Sequence, residues 1–361
     1  MKSAPAALRL ALLLPAPIAL LAGVLSGLAR LGLPLPAWFA GFIGQHGALM
    51  VCGVFGTLIS LERAVARNTP AAYAVPAACG IATLALLAGA PATIVAAIFV
   101  AASAGLLWQA AALSLRHREW HLACLALAAA AWLAGNLAWL HQLPLESTAT
   151  LPWTAFLILT IAAERLELSR LLPTPRHARI VFCVIATTLL LAAGADALVI
   201  PHVSRLYGAA LGALAIWLAR YDLARRTARI PGLTGYIGRC LLSGYAWLAL
   251  GGLLALFGAL DLGSPLRDAT LHALMLGFVF TMVFGHAPII LPAVARVRLG
   301  WHRGFYLPLL ALHASLAWRV VAGLAGNFAA RQSAASLNAA SLLLFLLLVL
   351  TALRRRETKR P

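Results

Sequence analysis

His46-Gly47-Ala48-Leu49-Met50 sits near the start of one apolar run, and His272-Ala273-Leu274-Met275-Leu276-Gly277 near the start of another. A polar side chain buried in an apolar stretch is costly without a partner, and an ionisable one at membrane depth marks a functional position. The surroundings of the two phrases decide the fold. Of 361 residues, 63% are hydrophobic and 11% charged, with a mean hydropathy of +0.92. Such a chain lacks the polar residues to cover a water-soluble globule, whereas a lipid-facing surface needs few.

A hydrocarbon core about 30 Å thick takes roughly 20 residues of helix. Windows of that length predict spans near 10–29, 38–60, 71–89, 92–115, 121–141, 149–170, 178–198, 203–221, 236–258, 266–292, 304–325 and 335–353. The expectation is a single all-α polytopic membrane domain over 1–361, with about twelve spans, short loops and no soluble domain.

The formal charge of +18 invites a nucleic-acid reading, but its placement argues for the bilayer. Lys2, Arg9, Arg63, Arg67, Arg116, Arg118, Arg165, Arg170, Arg176 and Arg179 fall on one side of the twelve-span arrangement. Arg220, Arg225, Arg226, Arg229, Arg239, Arg296, Arg298, Arg303, Arg354, Arg355, Arg356, Lys359 and Arg360 join them, 23 of the 28 basic residues in all. Arg30, Arg205, Arg267 and Arg331 fall on the other side, and Arg319 within a span. The positive-inside rule then predicts both termini in the cytoplasm, with the bilayer as partner. Lys2 and Arg9 before an apolar run look like a signal sequence, but Pro15 and Pro17 interrupt it, so an uncleaved first helix is expected. Cys52, Cys79, Cys124, Cys183 and Cys240 show no pairing or C-x-x-C spacing and read as small apolar residues.

The two histidine phrases lie in spans two and ten, which run in the same direction and are eight spans apart. Three successive four-helix units would make spans two, six and ten equivalent; span six has Glu164 and Glu167 and no histidine. At about 1.5 Å per residue, His46 and His272 both fall in the outer half of the membrane. Two such rings can share a haem iron, and Gly47, Gly53, Gly56 and Gly277 would leave flat faces for a macrocycle. The alternative for each ring is a neighbouring carbonyl or hydroxyl. His286 lies about 21 Å deeper than His272, before Pro288 and Pro292, where a bend is expected. With His313 it is a candidate for a second site, for a metal, a proton path or a quinone, against a polar packing role. His117, His121, His177 and His302 at one set of ends, and His141 and His202 at the other, read as solvated. Arg319 needs an anion: haem propionates, or Asp268, Asp261 or Asp196. Glu62 with Arg63, and Glu164 with Arg165 and Glu167, read as snorkelling salt links or a proton entry route.

Gln45-His46-Gly47-Ala48-Leu49-Met50 resembles the second-helix phrase of haem–copper oxidase subunit one, and Asp268 to Gly277 its tenth-helix phrase; in that family these histidines are axial haem ligands. Leu61 to Ala66 and Phe284 to Ile290 are similar to the NnrS group of haem-containing membrane proteins. The resemblance implies three four-helix arcs, haem b held by His46 and His272, and Arg319 as a propionate partner. It further implies a bacterial inner-membrane location, and electron transfer or a nitric oxide and nitrosative-stress role, with quinol or a cytochrome as donor. Any turnover would be that of a haem-dependent oxidoreductase. Copper is not supported: the family's copper histidines of spans six and seven have no counterpart except His177 near one end. A rival reading is a twelve-helix secondary transporter, for which intramembrane Arg319, His286 and Glu164 and a Pro-broken span ten are suggestive. Two six-helix halves would echo at six spans, however, and the clear echo is at eight.

Overall fold

The computed structural model describes residues 5–141, 148–169 and 175–355. Ten helices among these are long and apolar enough to cross a membrane. They are α1 (Ala6–Arg30), α2 (Gly41–Arg67), α3 (Pro70–Leu87), α4 (Ala92–His117), α5 (Trp120–Leu140), α7 (Arg176–Ala197), α9 (Gly232–Leu256), α10 (Arg267–Ala295), α11 (Arg303–Leu324) and α12 (Phe328–Ala352). Two further long helices, α6 (Thr150–Ser169) and α8 (Val203–Tyr221), occupy the places expected for spans six and eight. The protein is an all-α, multi-pass membrane protein, apart from one short antiparallel pair, β1 (Val297–Leu299) with β2 (Leu353–Arg355). Lys2, Arg170, Arg356, Lys359 and Arg360 of the charge pattern lie outside the described residues.

Most helix ends fall within a turn of the sequence reading, and the exceptions have a common cause. Helix α2 runs two turns further than expected, to Arg67, and α12 starts two turns earlier, at Phe328. Both extensions carry polar residues, such as Glu62 and Arg63 or Arg331 and Gln332, which a hydropathy window discards and a helix end tolerates. Helix α10 continues through Pro288 and Pro292 to Ala295.

Helix α6 explains its own modest hydropathy. Residues 151–160 are all buried, including Leu151, Trp153, Phe156 and Ile158. A helix enclosed by protein needs no lipid-facing apolar side, so Glu164, Arg165 and Glu167 can be carried here. Helices α2 and α10 both pack on it and on each other, so spans two, six and ten meet at the centre of the bundle. Chain neighbours such as α4 with α5, α8 with α9 and α11 with α12 pack side by side, and α12 closes on α1.

A small-residue contact joins α8 and α9. A Cβ on Gly208 would overlap the backbone of Ala255 and Leu256, and one on Gly252 would lie 2.7 Å from Gly212 N and 3.0 Å from Gly208 O. A Cβ on Gly212 would meet nothing within 4 Å. This is close backbone approach of the kind that drives helix association in lipid, where no hydrophobic force is available between helices. Gly208→Val is expected to destabilise the protein by about 1–3 kcal/mol through overpacking, while Gly212→Ala is near neutral; thermal melting in detergent micelles compares the two.

Candidate functional site

The structure brings His46 and His272 together. Their ring centroids lie 6.3 Å apart with the planes inclined by 24°, and both rings line one cavity of about 580 Å³. Each ring is oriented the same way. His46 Nδ1 donates to Gly23 O at 2.7 Å, and His272 Nδ1 donates to Asp268 O at 2.7 Å. A carbonyl can only accept, so in the neutral imidazole this bond fixes the proton on Nδ1 and leaves the Nε2 lone pair as the remaining acceptor. Backbone anchoring of one ring nitrogen is also how metal-ligating histidines are held in tautomer and direction.

Local sequence builds this posture. His272 reaches the carbonyl four residues back in its own helix. His46 has no such turn behind it, because a 3-10 stretch, Ala37–Gln45, precedes it, and it crosses to α1 instead. There Gly27 makes room: a Cβ would fall 2.8 Å from His46 Cε1 and 2.9 Å from Nδ1. Three of the four glycines expected to leave flat faces do not serve that purpose. A Cβ on Gly53 would meet Ala19 and Thr83, one on Gly56 Trp132, and one on Gly277 Trp247. Those three positions admit neighbouring side chains, while Gly47 faces Trp153 and lines the cavity. The glycines that matter, Gly23 and Gly27, belong to span one, which carries no histidine to draw attention to it.

Just past each histidine the helix widens. Leu49–Gly56 on α2 and Ala273–Phe280 on α10 are π-helical over eight residues each. Such i→i+5 segments are rare and concentrate at functional sites. The shared phrase therefore marks a shared backbone device as well as a shared side chain.

Charge at the cavity is lopsided. Arg30, Arg267, Arg319 and Arg331 line it, against one carboxylate, Asp268. Arg319 is only 5% exposed and grips Asp268 with two bonds, Nη2 to Oδ1 at 2.8 Å and Nε to Oδ2 at 3.0 Å. Its Nη1 donates to Asn338 Oδ1 at 3.4 Å. Of the anions open to Arg319 from sequence, Asp268 is the one the structure places on it. Asp261 instead accepts from Ser204 and pairs with Arg205 at 3.6 Å. Asp268 also ties the pair to the His272 ring, since its Oδ1 is 3.3 Å from His272 Nδ1.

The remaining candidates are dispersed. His286 lines a second cavity, of about 320 Å³, toward the opposite end of the bundle. His313 does not join it: Nδ1 accepts from Trp247 Nε1 at 2.9 Å and Nε2 lies 3.1 Å from Ser243 Oγ. Both its nitrogens are committed to α9, the polar packing role. Glu62, Arg63 and Glu164 form an ion cluster, with Arg63 Nη2 at 2.6 Å from Glu164 Oε1 and 3.3 Å from Glu62 Oε1. Arg165, expected to snorkel, is buried. His121 is buried as well, with Nε2 3.9 Å from Glu167 Oε1, whereas His117, His141, His177, His202 and His302 are exposed. The cysteines are free thiols, four of them buried. Among the described residues no group of three or more His, Cys, Asp or Glu side chains is placed to hold a metal ion.

The sequence family described as Domain of unknown function (DUF8744) matches residues 9–354. Comparison with curated proteins and with solved structures gives no match.

Removing one member of a buried ion pair leaves the other charge uncompensated and typically costs about 3–5 kcal/mol, and Arg319 is buried while Asp268 is 26% exposed, so the lower end of that range is expected here; replacing both with apolar groups is far milder. Asp268→Ala should therefore lower the melting temperature in detergent sharply, and Asp268→Leu combined with Arg319→Met should recover most of the loss.

Proposed function

The chain belongs to that family over nearly its whole length, and we propose that it is a haem b protein of the bacterial inner membrane, with His46 and His272 as the two axial ligands. The observation that carries this reading is the geometry of the pair. With metal–nitrogen bonds of about 2.0–2.1 Å, and about 1.2 Å from nitrogen to ring centre, two imidazoles on opposite sides of one metal would have ring centres about 6.4–6.6 Å apart. The structure has 6.3 Å. The donor set suits iron in a macrocycle better than a bare ion, because two imidazoles alone leave a bare ion's coordination unfilled and, among the described residues, no third His, Cys, Asp or Glu is grouped with them to hold one.

The rest of the cavity supports the same ligand. Val24, Met50, Leu271 and Met275 offer apolar walls, and Trp153 a flat one. The arginines at the cavity suit a ligand with two carboxylates. Arg319, paired with Asp268, acts mainly by fixing that carboxylate and through it the helix turn bearing His272, while Arg30, Arg267 and Arg331 also line the cavity.

When bound, the haem would supply one-electron chemistry. With both axial positions filled by anchored imidazoles, a diatomic ligand could bind only if one ring left, so electron transfer is the simpler role. A nitrosative-stress role rests on resemblance alone. The three-arc arrangement of twelve spans fits the central position of α2, α6 and α10, and the charge pattern favours both termini in the cytoplasm.

Protein purified from haem-replete cells should show a low-spin bis-imidazole spectrum and one haem b per chain by pyridine haemochrome. His46→Ala and His272→Ala should each abolish that spectrum. Uptake of a solute by vesicles of haem-free protein, with no Soret band in any preparation, would instead favour the transporter reading. Gly27→Val, which crowds the His46 ring, should reduce haem occupancy several-fold while leaving the melting temperature within a few degrees of the parent.

A further inference from the structure

The second cavity lies directly beyond the first along the bundle, and its chemistry is different. Phe55, Leu157, Phe280 and Leu342 line both, forming a waist between them. The two phenylalanines meet edge to face, with centroids 5.3 Å apart and planes at 70°. Beyond the waist the walls are almost wholly apolar, and the polar side chains on them are Thr160, Glu62, Glu164 and His286. Thr160 is satisfied by Phe156 O at 2.8 Å, and both glutamates contact Arg63. His286 is not satisfied. Its Nδ1 donates to Met282 O at 2.7 Å, repeating the posture of His272, while its buried Nε2 has no hydrogen-bond partner among the described residues.

We infer that this cavity binds a membrane-soluble hydroquinone, whose ring hydroxyl donates to His286 Nε2. Each part of that ligand answers a feature of the site. The neutral imidazole, protonated on Nδ1, presents a buried acceptor, and a buried acceptor left unpaired is penalised by its full desolvation cost. A second hydroxyl across the ring suits the carboxylates of Glu62 or Glu164. Aromatic side chains, Phe55, Phe280 and the stacked pair Phe284 and Phe345 at 3.9 Å, wall the space for a flat ring. An apolar tail has an exit, because Leu350 lines the cavity and is 55% exposed on the outer face of α12. A second haem would find no charge anchor here: among the described residues no arginine lines this cavity, and its two carboxylates are themselves paired with Arg63.

The inference deepens the electron-transfer reading by placing a donor beside the haem cavity, yet the binding itself does not require haem. The full chain is reconstituted in phosphatidylcholine nanodiscs free of quinone, and anaerobic binding of tritiated decylubiquinol is measured. Saturable binding of one molecule per chain is expected. His286→Leu should weaken it at least tenfold, and His286→Gln, which restores an acceptor, should recover part of the loss. His46→Ala, which should lose the haem spectrum, should bind decylubiquinol as tightly as the parent; decylubiquinol binding by a parent protein that shows no Soret band in any preparation would sink the haem reading and leave this one standing. Should His286→Leu fail to fold, Ala287→Phe, which fills the same cavity from the next position, is expected to block binding with the haem spectrum intact. Absence of saturable binding, equal affinity in the Leu and Gln variants, or a second haem per chain lost with His286→Leu would each overturn the inference.

Discussion

The bond from each imidazole Nδ1 to a backbone carbonyl is the constraint on which the site depends. A histidine in an apolar bundle can spend both nitrogens on neighbours, as His313 does with Trp247 and Ser243, and is then inert. His46, His272 and His286 spend only one, and each spends it on a main-chain oxygen that can do nothing but accept. That choice fixes the tautomer, sets the ring direction and leaves one lone pair for a cavity. Anchoring to backbone also links ligand position to helix position. The His46 ring moves with α1 through Gly23, and the His272 ring with its own turn, which Asp268 and Arg319 pin to α11 and Asn338 to α12.

Around these rings the bundle sorts charge by depth. One cavity is lined by four arginines and a single aspartate, the other by two glutamates, and a waist of Phe55, Leu157, Phe280 and Leu342 separates them. The lining charges of each cavity would select a ligand by sign as well as by shape. Helices α2, α6 and α10 pass beside both cavities. Helix α6 contributes no imidazole to the first, presenting Trp153 and Thr154, and these are themselves tied back to Asn136 and Tyr207. Its part is that of a wall, set in place by its neighbours.

Much of this was legible in the sequence because membranes leave few alternatives. Length and hydropathy place the helices, and the spacing of Arg and Lys predicts their orientation. The two histidine phrases pick out the pair of helices that meet, since an unpaired imidazole at that depth demands explanation. What stayed hidden has physical reasons. The Gly23 and Gly27 cradle lies on a helix without histidine, in a chain with 29 glycines, and nothing local distinguishes a glycine that admits a ring from one that admits a tryptophan. The π-helical stretches are defined by backbone hydrogen bonding, for which Leu49 to Gly56 and Ala273 to Phe280 carry no marker beyond their apolar character. The partner of Arg319 was open among three aspartates and a ligand until coordinates set Asp268 on it. Arg165 and His121 misled because interfacial position by sequence says nothing about what packs outside.

The two cavities also bear on why the histidine count is uneven. Two imidazoles meet in the first, while the second has His286 and, on the facing part of α2, only Val54, Phe55, Leu58, Ile59, Leu61 and Glu62. A bis-imidazole site cannot form there. A single acceptor backed by carboxylates can instead hold a protic ligand and receive what that ligand releases, which is a task for hydrogen bonds and proton acceptors. The arginine-lined cavity, with its paired and anchored rings, is built the other way: its ligand would be held rigidly from both faces and stabilised as an anion. If the first cavity holds the proposed haem and the second the proposed hydroquinone, the waist of Phe55, Leu157, Phe280 and Leu342 would separate a site for electrons from a site for protons.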